Sequence, residues 1–343
     1  MFENRRLIVY LVAACAWIAT QSIGAERESA TGKITGAQRV ELPAWLKDSF
    51  LDILEDVAEA SEQGKHLMLF FYLSDCPYCH KMLEEDFEDA PYRQFIQDNF
   101  DVIAIDIRGA REVAFTPELH LTEKELARHL GVRYTPTILF LDRDNQVVLR
   151  LNGYRSPQAF KYALDFVQEQ AYRSGSLSQY IERKANKPVY VLRKDSAFSS
   201  ITDLHKITDK PLAVIFEDKT CDECNAFREE VLGRAETKAL LEKFTVVRLD
   251  ALSDEAIIEP SGKPSTPKAF AAELGISYRP GVVLFDKGKE IIRIDGMLRS
   301  FHFQQVLRYV ADKQYEQYPS FSGYRRASQQ EILKSGRDID IWK

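Results

Sequence analysis

Short apolar runs alternate along this chain with charged, helix-spaced stretches. HLMLFFYL (66–73) and DVIAID (101–106) read as buried strands, and HKMLEEDF (80–87) between them has the pattern of a helix. VRYTPTILFLD (132–142) and VVLRLNGY (147–154) read as two more strands, joined through the turn-rich DRDNQ (142–146). An amphipathic helix closes the set. The same order returns as PLAVIFE (211–217), TVVRLD (245–250), ISYRPGVVLFD (276–286) and IIRIDGM (291–297), with DKGK (286–289) as the second hairpin connection. Ahead of the first strand, the lead-in 43–65 together with Leu42 just before it has apolar residues at 42, 46, 50, 53, 54 and 57, a spacing that predicts a helix.

The two sets keep register. Cys76 and Cys221 are 145 residues apart, Leu130-Gly131 and Leu274-Gly275 are 144 apart, and Gly153 and Gly296 are 143 apart. Landmarks held this closely over more than 70 residues identify two copies of one domain. Helix starts agree with the repeat. Thr122-Glu123-Lys124-Glu125 has the form of a capping box, and Thr266-Pro267 supplies an N-cap followed by a first-turn proline. Strands alternating with helices predict an α/β fold, and the hairpins add antiparallel pairing.

At 343 residues, 45% apolar and 29% charged, the chain has the composition of an ordinary globular protein with material for two cores. Its formal net charge of −6 gives no basic face for nucleic acid. At the N-terminus, Arg5 and Arg6 precede the apolar run LIVYLVAACAWIA (7–19) and then TQSIGAERES (20–29), the arrangement of a signal peptide cleaved near Gly24 or Ala25. The run is shorter than the ~20 apolar residues of a spanning helix. Two alternatives use the same segment: a retained membrane anchor, and a lipoprotein modified at Cys15, because VAAC (12–15) resembles a bacterial lipobox. The expected organisation is a signal peptide (1–25), a linker (26–40), domain 1 (41–175), domain 2 (176–318) and a tail (319–343). The tail holds a short helix candidate, QQEILKS, and receives no function.

Loss of the leader removes Cys15 and leaves Cys76, Cys79, Cys221 and Cys224, two C-x-x-C pairs in a chain bound for a compartment that permits disulfides. Each pair follows a buried strand. Such a pair can cycle between dithiol and disulfide, act as a static staple, or supply half of a soft-metal site. A shared zinc site would require the two copies to face each other, so no metal is assigned.

Both copies resemble the thioredoxin fold. The residues that carry the resemblance are CPYC (76–79), Tyr134-Thr135-Pro136 and Gly153 in the first copy, and CDEC (221–224), Tyr278-Arg279-Pro280 and Gly296 in the second. The separations from first cysteine to loop proline are 60 and 59 residues. The resemblance implies two tandem thioredoxin-fold domains, each a central mixed sheet flanked by helices. It also implies that the prolines are cis. The first copy is most similar to thioredoxins of bacterial sulfur-oxidation clusters, through CPYCHKM and the long segment RGAREVAFTPELHLT (108–122).

The implied activity is thiol–disulfide exchange in the periplasm, favoured in the direction of reducing disulfides in other exported proteins. Cys76 and Cys221 would attack, Cys79 and Cys224 would resolve, and the redox groups are the disulfides themselves, with no separate cofactor. Tyr78, Thr135, Pro136, Arg279 and Pro280 are expected to meet substrate, with Arg279 also supporting the Cys221 thiolate. Because the periplasm is held oxidising, a reductase there needs a membrane thiol donor as partner. An isomerase, an oxidase, and a non-enzymatic chaperone or copper/zinc carrier are the alternatives. Many family members carry a buried Asp six residues before the first cysteine, but Phe70 and Ile215 stand there, leaving water, Glu84 or Glu217 as candidate proton acceptors. Two carboxylates, Asp222 and Glu223, stand between the cysteines of the second copy, which places the faster exchange in the first.

Overall fold

The computed structural model describes residues 31–88, 91–185, 188–193 and 195–342. The expected signal peptide, the alternative anchor and Cys15 lie outside the described residues.

After a short strand β1 (Ile34–Thr35), the first copy runs α1 (Ile53–Glu62), β2 (His66–Tyr72), α2 (Pro77–Met82), α3 (Tyr92–Asn99), β3 (Phe100–Asp106), β4 (Glu112–Thr116), β5 (Leu119–Thr122), α4 (Glu123–His129), β6 (Thr137–Leu141), β7 (Val147–Asn152), α5 (Pro157–Gln168) and α6 (Leu177–Lys184). The second runs β8 (Leu212–Glu217), α7 (Cys224–Ala226), α8 (Ala235–Leu241), β9 (Thr245–Asp250), β10 (Ile257–Ile258), β11 (Pro264–Ser265), α9 (Pro267–Glu273), β12 (Gly281–Asp286), β13 (Lys289–Ile294) and α10 (Ser300–Ala311). Then come α11 (Gln314–Gln317), α12 (Phe321–Lys334) and β14 (Ile339–Asp340). In both copies the helix after the cysteines widens into a π-helical stretch, Leu83–Glu88 and Phe227–Leu232.

The two sheets have the same order, β3-β2-β6-β7 and β9-β8-β12-β13. In each, the central strand before the cysteines pairs parallel with one neighbour and antiparallel with the Pro-led strand. Both faces of each sheet are covered, which explains the nearly continuous apolar runs: Leu67 to Phe71 and Leu212 to Phe216 are all buried. Helices pack on the faces as the sequence predicts. Thr122 and Glu125 form the capping box of α4, and Thr266 caps α9. The segment 108–122 becomes the β4–β5 hairpin, whose counterpart in the second copy is the shorter β10–β11.

Three expectations change. The lead-in helix begins only at Ile53, capped by Asp52. Leu51 adopts a positive φ of 65° and Lys47 N–H donates to the Val102 carbonyl, so residues 43–50 run along the sheet as turns and Phe50 stays in solvent. In the second copy, among the described residues, a single 3-10 turn, Leu204–Lys206, stands where that helix would be. The boundary expected between 175 and 176 moves to about Ala185, because Leu177 and Tyr180 of α6 pack into the first core. Finally, the tail is longer and better anchored than QQEILKS suggests. Tyr324 of α12 packs on Tyr309 and Phe321, and β14 returns to pair in parallel with β1.

Candidate functional site

In the first copy, β2 delivers the chain to a turn and Cys76 becomes the N-cap of α2, with Pro77 in the first turn. Its Sγ accepts the Cys79 backbone N–H at 3.1 Å. A sulfur placed there meets an otherwise unpartnered amide and the positive end of the helix, and both favour the thiolate when the pair is reduced. The cysteines form a disulfide with Cα atoms 5.3 Å apart. Cys79 is fully buried, and Cys76 is 6% exposed. The Thr135-Pro136 bond is cis, and the Thr135 carbonyl oxygen lies 3.6 Å from Cys76 Sγ. Thus Cys76, Cys79, Thr135 and Pro136 are brought together.

The second copy differs in its helix start. Cys221 sits in a turn, its N–H donating to the Asp218 carbonyl at 3.1 Å, and α7 begins only at Cys224. The pair is again a disulfide, with Cα atoms 5.6 Å apart, and Arg279-Pro280 is cis. Among the described residues no backbone N–H is directed at Cys221 Sγ. Tyr190, from the segment joining the copies, forms one buried cluster with both cysteines and donates its hydroxyl to Glu217 at 2.7 Å.

The expected role of Arg279 changes. Its guanidinium is buried, with Nε 2.7 Å from the Asp218 carboxylate and Nη1 donating to the Ile276 and Tyr278 carbonyls. A buried guanidinium needs a counter-charge and acceptors, and Asp218 supplies the counter-charge for this one. The paired-carboxylate argument changes too. Asp222 accepts the Ser156 hydroxyl at 2.6 Å. Glu223, enclosed between the copies and next to Asp222, has its pKa pushed up to about 8 by burial first and Asp222 second. Near pH 7 it is largely neutral, so one charge rather than two stands beside Cys221.

Glu223 gives a pH prediction. Its folded pKa lies above the ordinary 4.5, so the folded state binds the extra proton between those values. Stability then falls as pH rises from about 5 and levels off above about 8. Thermal unfolding of Glu223→Gln, scanned over pH 5–9, should show a flatter profile than the parent. An unchanged slope would remove Glu223 as the source.

The two C-x-x-C faces are turned toward the other copy. Tyr78 is buried: its hydroxyl accepts the Arg299 N–H at 2.9 Å and lies 3.3 Å from His302 Nδ1. Its ring meets His302 and Trp342 edge-on, with centroids 5.7 and 5.3 Å apart. Burial pushes the Tyr78 pKa up to about 12, and burial with Arg325 pushes His302 down to about 3. Tyr78 is therefore covered by α10 and the tail, not presented to substrate as expected. Reciprocally, the loop after β7 meets the second pair through Ser156, while Arg155 donates to the Asp295 carbonyl at 3.2 Å and stacks over Tyr278 at 4.4 Å. The seam closes on Gly153 and Gly296, where a Cβ on Gly296 would stand 2.1 Å from the Asn152 carbonyl oxygen. Pro280 borders a cavity of about 200 Å³ in this seam, together with Tyr154 and Glu223.

Phe70 and Ile215 occupy matching buried positions on the central strands, opposite Ile138 and Val282. Of the alternative proton acceptors, Glu84 is exposed and faces His80 at 3.7 Å on the surface. Glu217 is fully buried beneath Tyr190, its pKa raised chiefly by burial. Tyr190, Arg155, Ser156, His302 and Trp342 escaped the sequence reading, because none has a spacing that marks it and each acts across the seam or from a connecting segment. Among the described residues, no group of three or more His, Cys, Asp or Glu side chains is placed to hold a metal ion.

A family profile described as a thioredoxin-like domain matches residues 53–168 and 200–311. No curated protein matches the chain. Among solved structures, a thioredoxin-fold protein from Helicobacter pylori is 24% identical, with 41% of this chain and 99% of that one covered and a TM-score of 0.33. A thioredoxin from Thermus thermophilus is 28% identical, covering 34% of this chain and 83% of its own, with a TM-score of 0.27. The reduced C-terminal domain of Neisseria meningitidis DsbD is 20% identical over 33% of this chain and 90% of its own, with a TM-score of 0.25.

Proposed function

The chain belongs to the family of thioredoxin-like domains, and from that premise we propose that it is an exported thiol–disulfide oxidoreductase that reduces disulfides in other periplasmic proteins. One observation supports this most directly: Cys76 Sγ caps a helix, accepts the Cys79 N–H at 3.1 Å, and faces Thr135 across 3.6 Å. On reduction, the Cys76 thiolate attacks a substrate disulfide sulfur in line with the breaking S–S bond, giving a mixed disulfide and releasing one substrate thiolate. Cys79, one helical turn on, then attacks the Cys76 sulfur and releases the second. The substrate gains two electrons, and the protein returns to the disulfide form.

Restoring the dithiol in an oxidising compartment calls for a thiol donor in the membrane. The second copy serves as relay from that donor or as docking domain. The resemblance of CPYCHKM and of the segment 108–122 to thioredoxins of sulfur-oxidation clusters supports substrates among exported proteins of that chemistry. The test is catalysis of insulin reduction by the full chain with dithiothreitol. Stoichiometric copper or zinc in anaerobically purified protein, with no acceleration of insulin reduction, would overturn the reading in favour of a metal carrier.

A further inference from the structure

Beside the first disulfide lies a cleft of about 750 Å³ whose walls come from both copies, the N-terminal segment and the tail. Its charged lining is unbalanced. Arg108, Arg133, Arg325 and Arg326 border it, against Asp75 and Asp295. Asp295 is already engaged by the Ser277 and Tyr278 N–H groups and by Arg155. Asp75 meets Arg108 only at 3.8 Å. Among the described residues, Arg133, Arg325 and Arg326 have no carboxylate within ion-pair distance, and Asp75 acts on Arg325 only from further away. Arg325 is the most enclosed of the four, and burial followed by the like charges of Arg108 and Arg326 pushes its pKa down. An excess of guanidinium groups over carboxylates around one concave site attracts anions, since low-dielectric walls focus the field and raise the local concentration of negative ligands.

Access to the sulfur is also restricted. Cys76 is 6% exposed, and α12 with the β1–β14 pairing stands at the rim. The volume is that of a small-molecule pocket, within the ~300–1,000 Å³ usual for such sites. We propose that this cleft admits small anionic disulfides and thiols to Cys76, with the tail supplying Arg325 and Arg326 as the recognising cations. The proposal rests on the oxidoreductase reading and adds a substrate class to it. In the exchange, the Cys76 thiolate attacks RS–SR, the ligand S–S bond breaks, and RS⁻ leaves. Cys79 then attacks the Cys76–S–S–R bond and releases the second RS⁻. The protein dithiol is oxidised by two electrons, RSSR is reduced to two thiols, and the thiolates take up the two protons that the cysteines lose.

The test uses the full chain carrying Cys221→Ser and Cys224→Ser, so that only the first pair reacts. The reduced protein is mixed with oxidised glutathione (anionic), hydroxyethyl disulfide (neutral) and cystamine (cationic). Each rate is divided by that of the same disulfide with 2-mercaptoethanol. At low salt the normalised rate for oxidised glutathione should exceed that for cystamine by about tenfold or more, and ~0.5 M salt should collapse the difference. Arg325→Gln with Arg326→Gln should lower the glutathione-to-cystamine ratio about fivefold or more. The salt dependence of the parent protein supplies the same reading if that variant fails to fold. Equal normalised rates for the three disulfides, or a preference indifferent to salt, overturns the anion site but leaves the oxidoreductase standing. An acidic cystine peptide of about fifteen residues reacting as fast as oxidised glutathione overturns the size limit and makes the cleft a peptide site. Failure of all three disulfides to react would bring down the oxidoreductase reading itself.

Discussion

Replacing Cys76 with Ser should reduce insulin-reductase activity by at least about a hundredfold, because it removes the attacking thiolate. Replacing Cys79 with Ser should leave a first attack that cannot be resolved, so that substrates accumulate as mixed disulfides on Cys76. The asymmetry follows from position. Cys76 is the N-cap whose sulfur accepts the Cys79 N–H, and Cys79 lies inside the helix with no exposed surface. Substrates should stay bound to Cys79→Ser on a non-reducing gel and be released by dithiothreitol. Trapping by Cys76→Ser instead would reverse the two roles.

The second large effect is a difference in acidity between the copies. At Cys76 a helix end and a backbone N–H stabilise the thiolate, while at Cys221 the helix starts three residues later and Tyr190 is buried in one cluster with the pair. A helix terminus is worth about 0.3–1 kcal/mol, up to ~2 when partly buried. At ~1.36 kcal/mol per pKa unit, the Cys76 pKa should lie about one unit below that of Cys221. Arg279 does not close the gap, since Asp218 holds its charge at 2.7 Å. Asp222 widens it, although Glu223, largely neutral near pH 7, adds less than its composition suggests. The pH dependence of iodoacetamide alkylation, measured on full chains that retain one pair each, separates acidity from access. A Cys221 pKa at or below that of Cys76 would make the second copy the leading catalytic domain.

Burial of Tyr78 bears on both experiments. A protein substrate reaches Cys76 only where α10 and the tail do not cover the first pair. Access and acidity therefore act separately on the observed rate, and only acidity moves with pH in the way described.

Most of what repeats locally was legible in the chain. The central strands announce themselves as apolar runs because each is covered on both faces, and α4 and α9 announce their starts because a cap is a contact between residues three apart. The disposition of Cys76, Cys79, Thr135 and Pro136 was reachable only through the resemblance to the thioredoxin fold, and the pairing of β2 with β6 is what realises it. The lead-in helix was over-read because a helical apolar spacing says nothing of Leu51 at positive φ, which ends the regularity before Phe50 can use it.

The rest depends on how finished elements dock. Arg279 and Asp218 are 61 residues apart, Ser156 and Asp222 66, and Tyr78 and His302 224. No periodicity records such pairs, since the pattern along a strand or helix states which face is buried but not what buries it. The sequence by itself therefore determined a duplicated α/β domain with two cysteine pairs, each after a buried strand. Only the tertiary structure decided that the pairs face each other's copies, that Arg279 serves Asp218, and that a tail without a motif brings two arginines to the mouth of the first site. Those outcomes come from surfaces that exist only after each copy has folded.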